Sequence, residues 1–192
     1  MMKKTIMSLA VVSALFSGAA MAVGADNDSS YATLNFSGRV TANLCQVSTS
    51  DVVKDIDLGE ITKTQIKDGT QKKQSFSVQL NNCDTSVSQI SYILSDGNNN
   101  KDQAAYLQPV SGDTSAQGVG VYVETSDGTA ITTGQTNNID VLGNADGALP
   151  QQTIALRAYV DAINADKTTG VVGGTVSATG TLTIKAITAD AA

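Results

Sequence analysis

Residues 74–96 read QSFSVQLNNCDTSVSQISYILSD, and they hold two runs of strict alternation separated by a polar break. In the first run Phe76, Val78 and Leu80 share one parity, and in the second Ile90, Tyr92 and Leu94 do. A period of two puts each set on one face of a β-strand, half buried against something apolar. Working outward, the same pattern returns over 32–44, 52–58, 118–125 (Val119, Val121, Val123), 139–142, 152–161 (Ile154, Leu156, Ala158, Val160) and 175–187. Gly38 interrupts the long first run and marks a bend or handover there. The dipeptides Asp68-Gly69, Asp96-Gly97, Asp127-Gly128 and Asp146-Gly147 supply turns, since glycine accepts positive φ and aspartate caps its own turn. The one convincing helical run, KTIMSLAVVSAL, lies at the start of the chain. The reading is an all-β domain, a sandwich, with no internal repeat.

The 192 residues suit one domain. Lys3 and Lys4, the apolar stretch from Ile6 to Phe16 and Ala20-Met21-Ala22 have the order of a secretory signal over 1–22. The run is too short for a bilayer span, which needs about 20 apolar residues. The exported chain then begins near Val23 and carries 10 basic against 18 acidic residues, about −8. That surface repels phosphate backbones and argues against nucleic-acid binding.

Cys45 and Cys83 are the two cysteines, and in an oxidising compartment an even count reads first as a structural disulfide. Closing that loop stabilises the fold by roughly 3–4 kcal/mol in the chain-entropy view. A metal site, the alternative, lacks ligands, because the chain contains no histidine. The same absence excludes Ser-His-Asp and Cys-His catalysis. Asp55 and Asp57 fall on a solvated face beside Ile56, and DNDSS (26–30) and DGNNNKD (96–102) lack the spacing of a calcium loop. Tyr31, Tyr92, Tyr106, Tyr122 and Tyr159 would make a carbohydrate platform only if they cluster. No enzymatic activity, no cofactor and no metal is expected, and a structural or binding role is favoured.

More specific phrases carry a resemblance. FSGRVTANLCQV (36–47), IDLGEI (56–61), FSVQLNNCDTSV (76–87), GVGVYVETSDGTAI (118–131) and QQTIALRAYVDA (151–162) stand in an order and spacing similar to type 1-like fimbrial subunits, the pilins of the chaperone–usher pathway. The two cysteines sit in the G-x-V-x-x-x-x-C and L-x-x-C-D phrases typical of that family. The resemblance implies an incomplete immunoglobulin-like β-sandwich that lacks its final strand. A donor strand from another subunit completes it, the periplasmic chaperone having filled the groove first.

Carried onto this chain, residues 23–34 are the donor extension and 35–192 the pilin domain, with Ser30, Ala32 and Leu34 facing the groove. SATGTLTIKAITADAA (177–192) supplies the acceptor-groove edge strand through Leu182, Ile184 and Ala186. The family has a tyrosine next to last, near the carboxylate that the chaperone grips; here Ala186 stands close to that position and ITADAA follows. The implied partners are other copies of this chain and related pilins joined head to tail, a periplasmic chaperone and an outer-membrane usher, with no stable membrane insertion. The implied location is the cell-surface fimbrium, reached through the periplasm. The implied function is a structural subunit of the shaft, polymerising by donor-strand exchange in support of adhesion. A minor or adhesive subunit that binds a host receptor is the alternative.

Overall fold

The computed structural model describes residues 44–98 and 103–188. Chain order is β1 (Gln46–Val47), α1 (Lys63–Asp68), β2 (Gln74–Asn81), β3 (Val87–Asp96), β4 (Val119–Thr125), β5 (Thr136–Ile139), β6 (Gly143–Asn144), β7 (Gly147–Ala148), β8 (Gln152–Ala162) and β9 (Gly180–Thr188). The described residues lie within one compact unit. Two antiparallel sheets, in the orders β1-β2-β8-β4 and β5-β3-β9, face each other, and β6-β7 is a small hairpin.

The alternation read from sequence decides which side chains lie between the sheets. β8 is the clearest case: Ile154, Leu156, Ala158, Val160 and Ala162 are buried while the residues between them reach outward. Val119, Val121 and Val123 of β4 stand opposite Ala162, Val160 and Ala158. From the second sheet Ile90, Tyr92 and Leu94 close on them, and Ile90 and Tyr92 have almost no exposed surface. Burying a side chain of this size is worth about 1.5–3 kcal/mol, so these alternating positions dominate the fold's stability.

Polar groups tie the ends. Cys45 and Cys83 form a disulfide with Cα atoms 4.1 Å apart, joining the start of β1 to the turn after β2. Beside it Asp84 N–H donates to Leu44 O at 2.8 Å. Gln152, fully buried, donates through Nε2 to Leu142 O and Leu149 O, while its Oε1 accepts from Leu142 N–H. One side chain thereby satisfies backbone groups that no strand reaches.

Three expectations are corrected. Residues 52–58 form no strand; the segment follows an irregular path along the rim of the sandwich. The strand expected at 139–142 is β5, which ends at Ile139, and Val141 packs against the core beyond it. The closing strand starts at Gly180, because Thr175 makes a parallel bridge to Ser115 and Val110 N–H donates to Ser177 O, which keeps 175–179 out of the ladder. A short helix, α1, was not anticipated. Its signal was present in TKTQ (62–65), since Thr62 accepts from Gln65 N–H and Gln65 Oε1 accepts from Thr62 N–H, a capping box. Asp68-Gly69 is therefore its C-terminal stop: Gly69 takes φ 67° and its N–H meets the carbonyls of Gln65 and Ile66.

Candidate functional site

β9 pairs with β3 from Gly180↔Asp96 to Thr188↔Val87, with a bulge near Ser88. On its other side no strand pairs with it among the described residues. Thr181, Thr183 and Lys185 are exposed, whereas Leu182, Ile184 and Ala186 are only half buried although they pack against the core cluster. An apolar side chain that faces a sandwich interior and stays half open lacks a cover.

Beside β9 lies a groove of about 1450 Å³. Leu182 and Ile184 line one wall, with Val176 and Ala178 leading into it. Val121 and Val160, opposite each other in the first sheet, form part of the floor. Ala186 packs at the end of the same face but does not line the groove. The strand continues through Ile187 and Thr188, so the extension beyond Ala186 begins as ladder; residues 189–192 lie outside the described residues.

Residues 51–61 make the opposite rim. Val52 and Val53 stand at its mouth, 68% and 80% exposed, as an apolar lip. Side chains hold the rim to β2. Asp51 Oδ2 accepts from Gln79 N–H at 2.7 Å, Asp51 pairs with Lys54 at 2.9 Å, and Lys54 Nζ donates to Ser77 O. The Gln79 N–H first, then the Lys54 ammonium, hold the Asp51 carboxyl below the ordinary carboxylate range. Sequence reasoning missed this rim, because alternation over 52–58 imitates a strand and says nothing of side-chain anchors.

The tyrosines do cluster in part. On the outward face of the first sheet the Tyr122 ring lies 5.6 Å from Tyr159, its cross-strand partner, and 5.7 Å from Tyr106. Lys73 stands 4.6 Å over Tyr159 and also pairs with buried Glu124 at 2.7 Å, which meets Arg157 at 2.9 Å. Tyr122 donates to Ala162 O at 3.0 Å. Burial chiefly, then the Asp161 charge and the two neighbouring phenols, push its pKa up to about 12. These groups spend their polar contacts on one another, on the rings and on the Ala162 carbonyl, so the cluster reads as the packed surface of a sheet.

Of the residues expected to act, the structure brings Leu182, Ile184 and Ala186 onto one face of β9 and joins Cys45 to Cys83. Ser30, Ala32 and Leu34, with the whole of 1–43, lie outside the described residues, and the signal reading over 1–22 falls there as well. Among the described residues no helix is long and apolar enough to cross a membrane.

Comparison with known proteins agrees with this geometry. A family model described as Fimbrial protein matches residues 34–186. Over 187 residues the chain is 43% identical to Fimbrial protein 987P of Escherichia coli, a match covering 96% of each chain. Of solved structures, one described as a chaperone–usher pilus superposes with a TM-score of 0.57 at 18% identity, covering 83% of this chain and 98% of that one. The P pilus rod subunit PapA superposes with a TM-score of 0.54 at 18% identity, covering 81% of this chain and all of that one. At such identity the two structures speak to the fold alone: an immunoglobulin-like sandwich.

Proposed function

Because the chain belongs to the fimbrial protein family and is a structural subunit of a bacterial fimbria, we propose that the groove beside β9 is where it polymerises, filled in the fibre by residues 23–34 of another copy. The observation that carries this reading is the half-open apolar face of Leu182 and Ile184, next to a strand edge with no described partner and above a floor of core valines. An alternating segment laid there would meet the β9 backbone and fill the side-chain pockets together. Fixing the backbone of an inserted segment costs about 1–2 kcal/mol per residue. Ladder hydrogen bonds, at about 1 kcal/mol net each, do not offset that alone. Apolar side chains entering the groove add to the ladder, at about 1.5–3 kcal/mol for one of leucine size that becomes fully buried. Ser30, Ala32 and Leu34 are the candidates of one parity, Leu34 the large apolar one and Ser30 and Ala32 the small ones.

A donor on one surface and an acceptor on another make a heterologous contact, which propagates head to tail into a filament. An open groove and edge are also an aggregation hazard before assembly. In this reading a periplasmic chaperone covers them after export and signal removal, and an outer-membrane usher exchanges that cover for the next subunit. The test is deletion of residues 23–33 in cells carrying the cognate chaperone and usher. The shortened subunit is expected to accumulate with chaperone in the periplasm and not to join a fibre. Fibres of normal length built from it would refute the donor assignment.

A further inference from the structure

Strand addition is indifferent in principle: any sheet edge with accessible backbone could accept an extended segment. Linear growth therefore requires that every other edge be closed. The outer side of β4 is covered, since Leu107 and Val121 exchange both backbone hydrogen bonds (2.7 and 3.1 Å) and Ile131 N–H donates to Val123 O at 2.9 Å. β5, at the far side of the second sheet, offers four residues only. β2 is the exposed problem. β1 pairs with its last two residues alone, Leu80 and Asn81, and no further strand lies on that side of Gln74–Gln79 among the described residues.

Side chains occupy this edge where a strand would. Ser48 N–H donates to Gln79 O at 2.8 Å, the Asp51 carboxylate accepts from Gln79 N–H, and the Lys54 ammonium donates to Ser77 O. Each charged group takes the part that a neighbouring strand's C=O or N–H would play. The two neutralise each other at 2.9 Å, and the Asp51 side chain is only 6% exposed. The need for such a block is visible beside it. Between Lys54–Asp57 and Gln74–Ser77 lies a gap of about 340 Å³, and Lys54 reaches past it to β2.

We propose that Asp51 and Lys54 are specificity determinants of assembly: they close the β2 edge to incoming strands, so that β9 is the single acceptor for the N-terminal segment of a second copy. An intruding strand would have to detach the carboxylate from an N–H it already serves and free an ammonium from its carbonyl. The inference rests on the donor-strand reading above.

The test is assembly of the mature chain carrying Asp51→Ala and Lys54→Ala together, with branch points and lateral bundles counted per length of fibre by electron microscopy. At least a tenfold rise over wild type is expected, with the disulfide and the thermal midpoint of the fibres retained. Fibres as unbranched as wild type would overturn the proposal. Should the double variant not accumulate, Lys54→Met alone is read in the same way, since it keeps the apolar stem and loses only the donor. Asp51→Asn, which keeps an acceptor for Gln79 N–H, is expected to stay linear, and branching there as frequent as in the double variant would also overturn it. Ile184→Lys separates the two readings. If that variant assembles normally, the groove reading fails; if it blocks assembly while the edge variants stay linear, only the present inference fails.

Discussion

Ile184 gives the most direct measure of the groove. It stands opposite Tyr92 in the ladder, lines the groove and is half buried in the free subunit. Truncating a fully buried isoleucine to alanine costs about 2–5 kcal/mol, through lost transfer energy and the cavity left behind. A partly buried one still exposes some of its surface, so Ile184→Ala should cost the monomer about 1–2 kcal/mol, less than full burial would give. Once a strand covers the position the full cost applies. The difference, about 2 kcal/mol, belongs to the inserted state alone and corresponds to roughly 30-fold faster strand release. Two measurements on the same variant read it: denaturant unfolding of freshly refolded monomer, and the rate at which preformed fibres dissociate in guanidinium. Thr183→Ala, on the exposed face of the same strand, is the control and should change neither by much. Equal losses in monomer and fibre would refute the reasoning, because they would mean that nothing is added over Ile184 on assembly.

Replacing both Cys45 and Cys83 by serine opens a loop with a sequence separation of 38 and should lower stability by about 4 kcal/mol, read as a drop in the denaturant midpoint that reducing agent reproduces in the wild type. Tyr122 predicts an alkaline limb. Its phenol keeps its proton to about pH 12 in the folded chain and loses it near pH 10 when unfolded, so stability is intact below about pH 10 and falls as pH rises toward 12. Burial raises Tyr92 and Tyr159 as well, so Tyr122→Phe should reduce that limb in alkaline melts without abolishing it, while costing about 1 kcal/mol at neutral pH for the bond to Ala162 O.

Strands whose two faces meet different environments were legible in the sequence. β8 is so regular that four of its inward residues, Ile154, Leu156, Ala158 and Val160, could be named from parity alone, and β2, β3 and β4 followed from the same rule. Parity failed over 52–58, where Val52, Ile56 and Leu58 share one parity. There Asp51 and Lys54 satisfy β2 with side chains, and a backbone ladder is not formed. The same limit shows at the closing strand, where Val176 and Ala178 keep the inward parity but the backbone of their neighbours Thr175 and Ser177 bonds to Val110, Thr114 and Ala116 instead of β3. Half of the candidate site was readable for a different reason. Alternation names Leu182, Ile184 and Ala186 as inward residues, but whether another strand of the same chain covers them is a matter of topology, which composition and spacing do not encode. The rim and its anchors join residues more than twenty positions apart through side chains, which period-two reasoning does not reach.

The register of β9 also sets how a filament bears load. Nine residue pairs join it to β3, from Gly180↔Asp96 to Thr188↔Val87. A pull directed along β9 meets those pairs in shear, all at once, where a pull across it would open them one after another like a zipper. Forced opening is governed by the unfolding rate and not by the equilibrium free energy. A fibre of such subunits can therefore resist brief, strong tugs far better than the marginal stability of one sandwich would suggest.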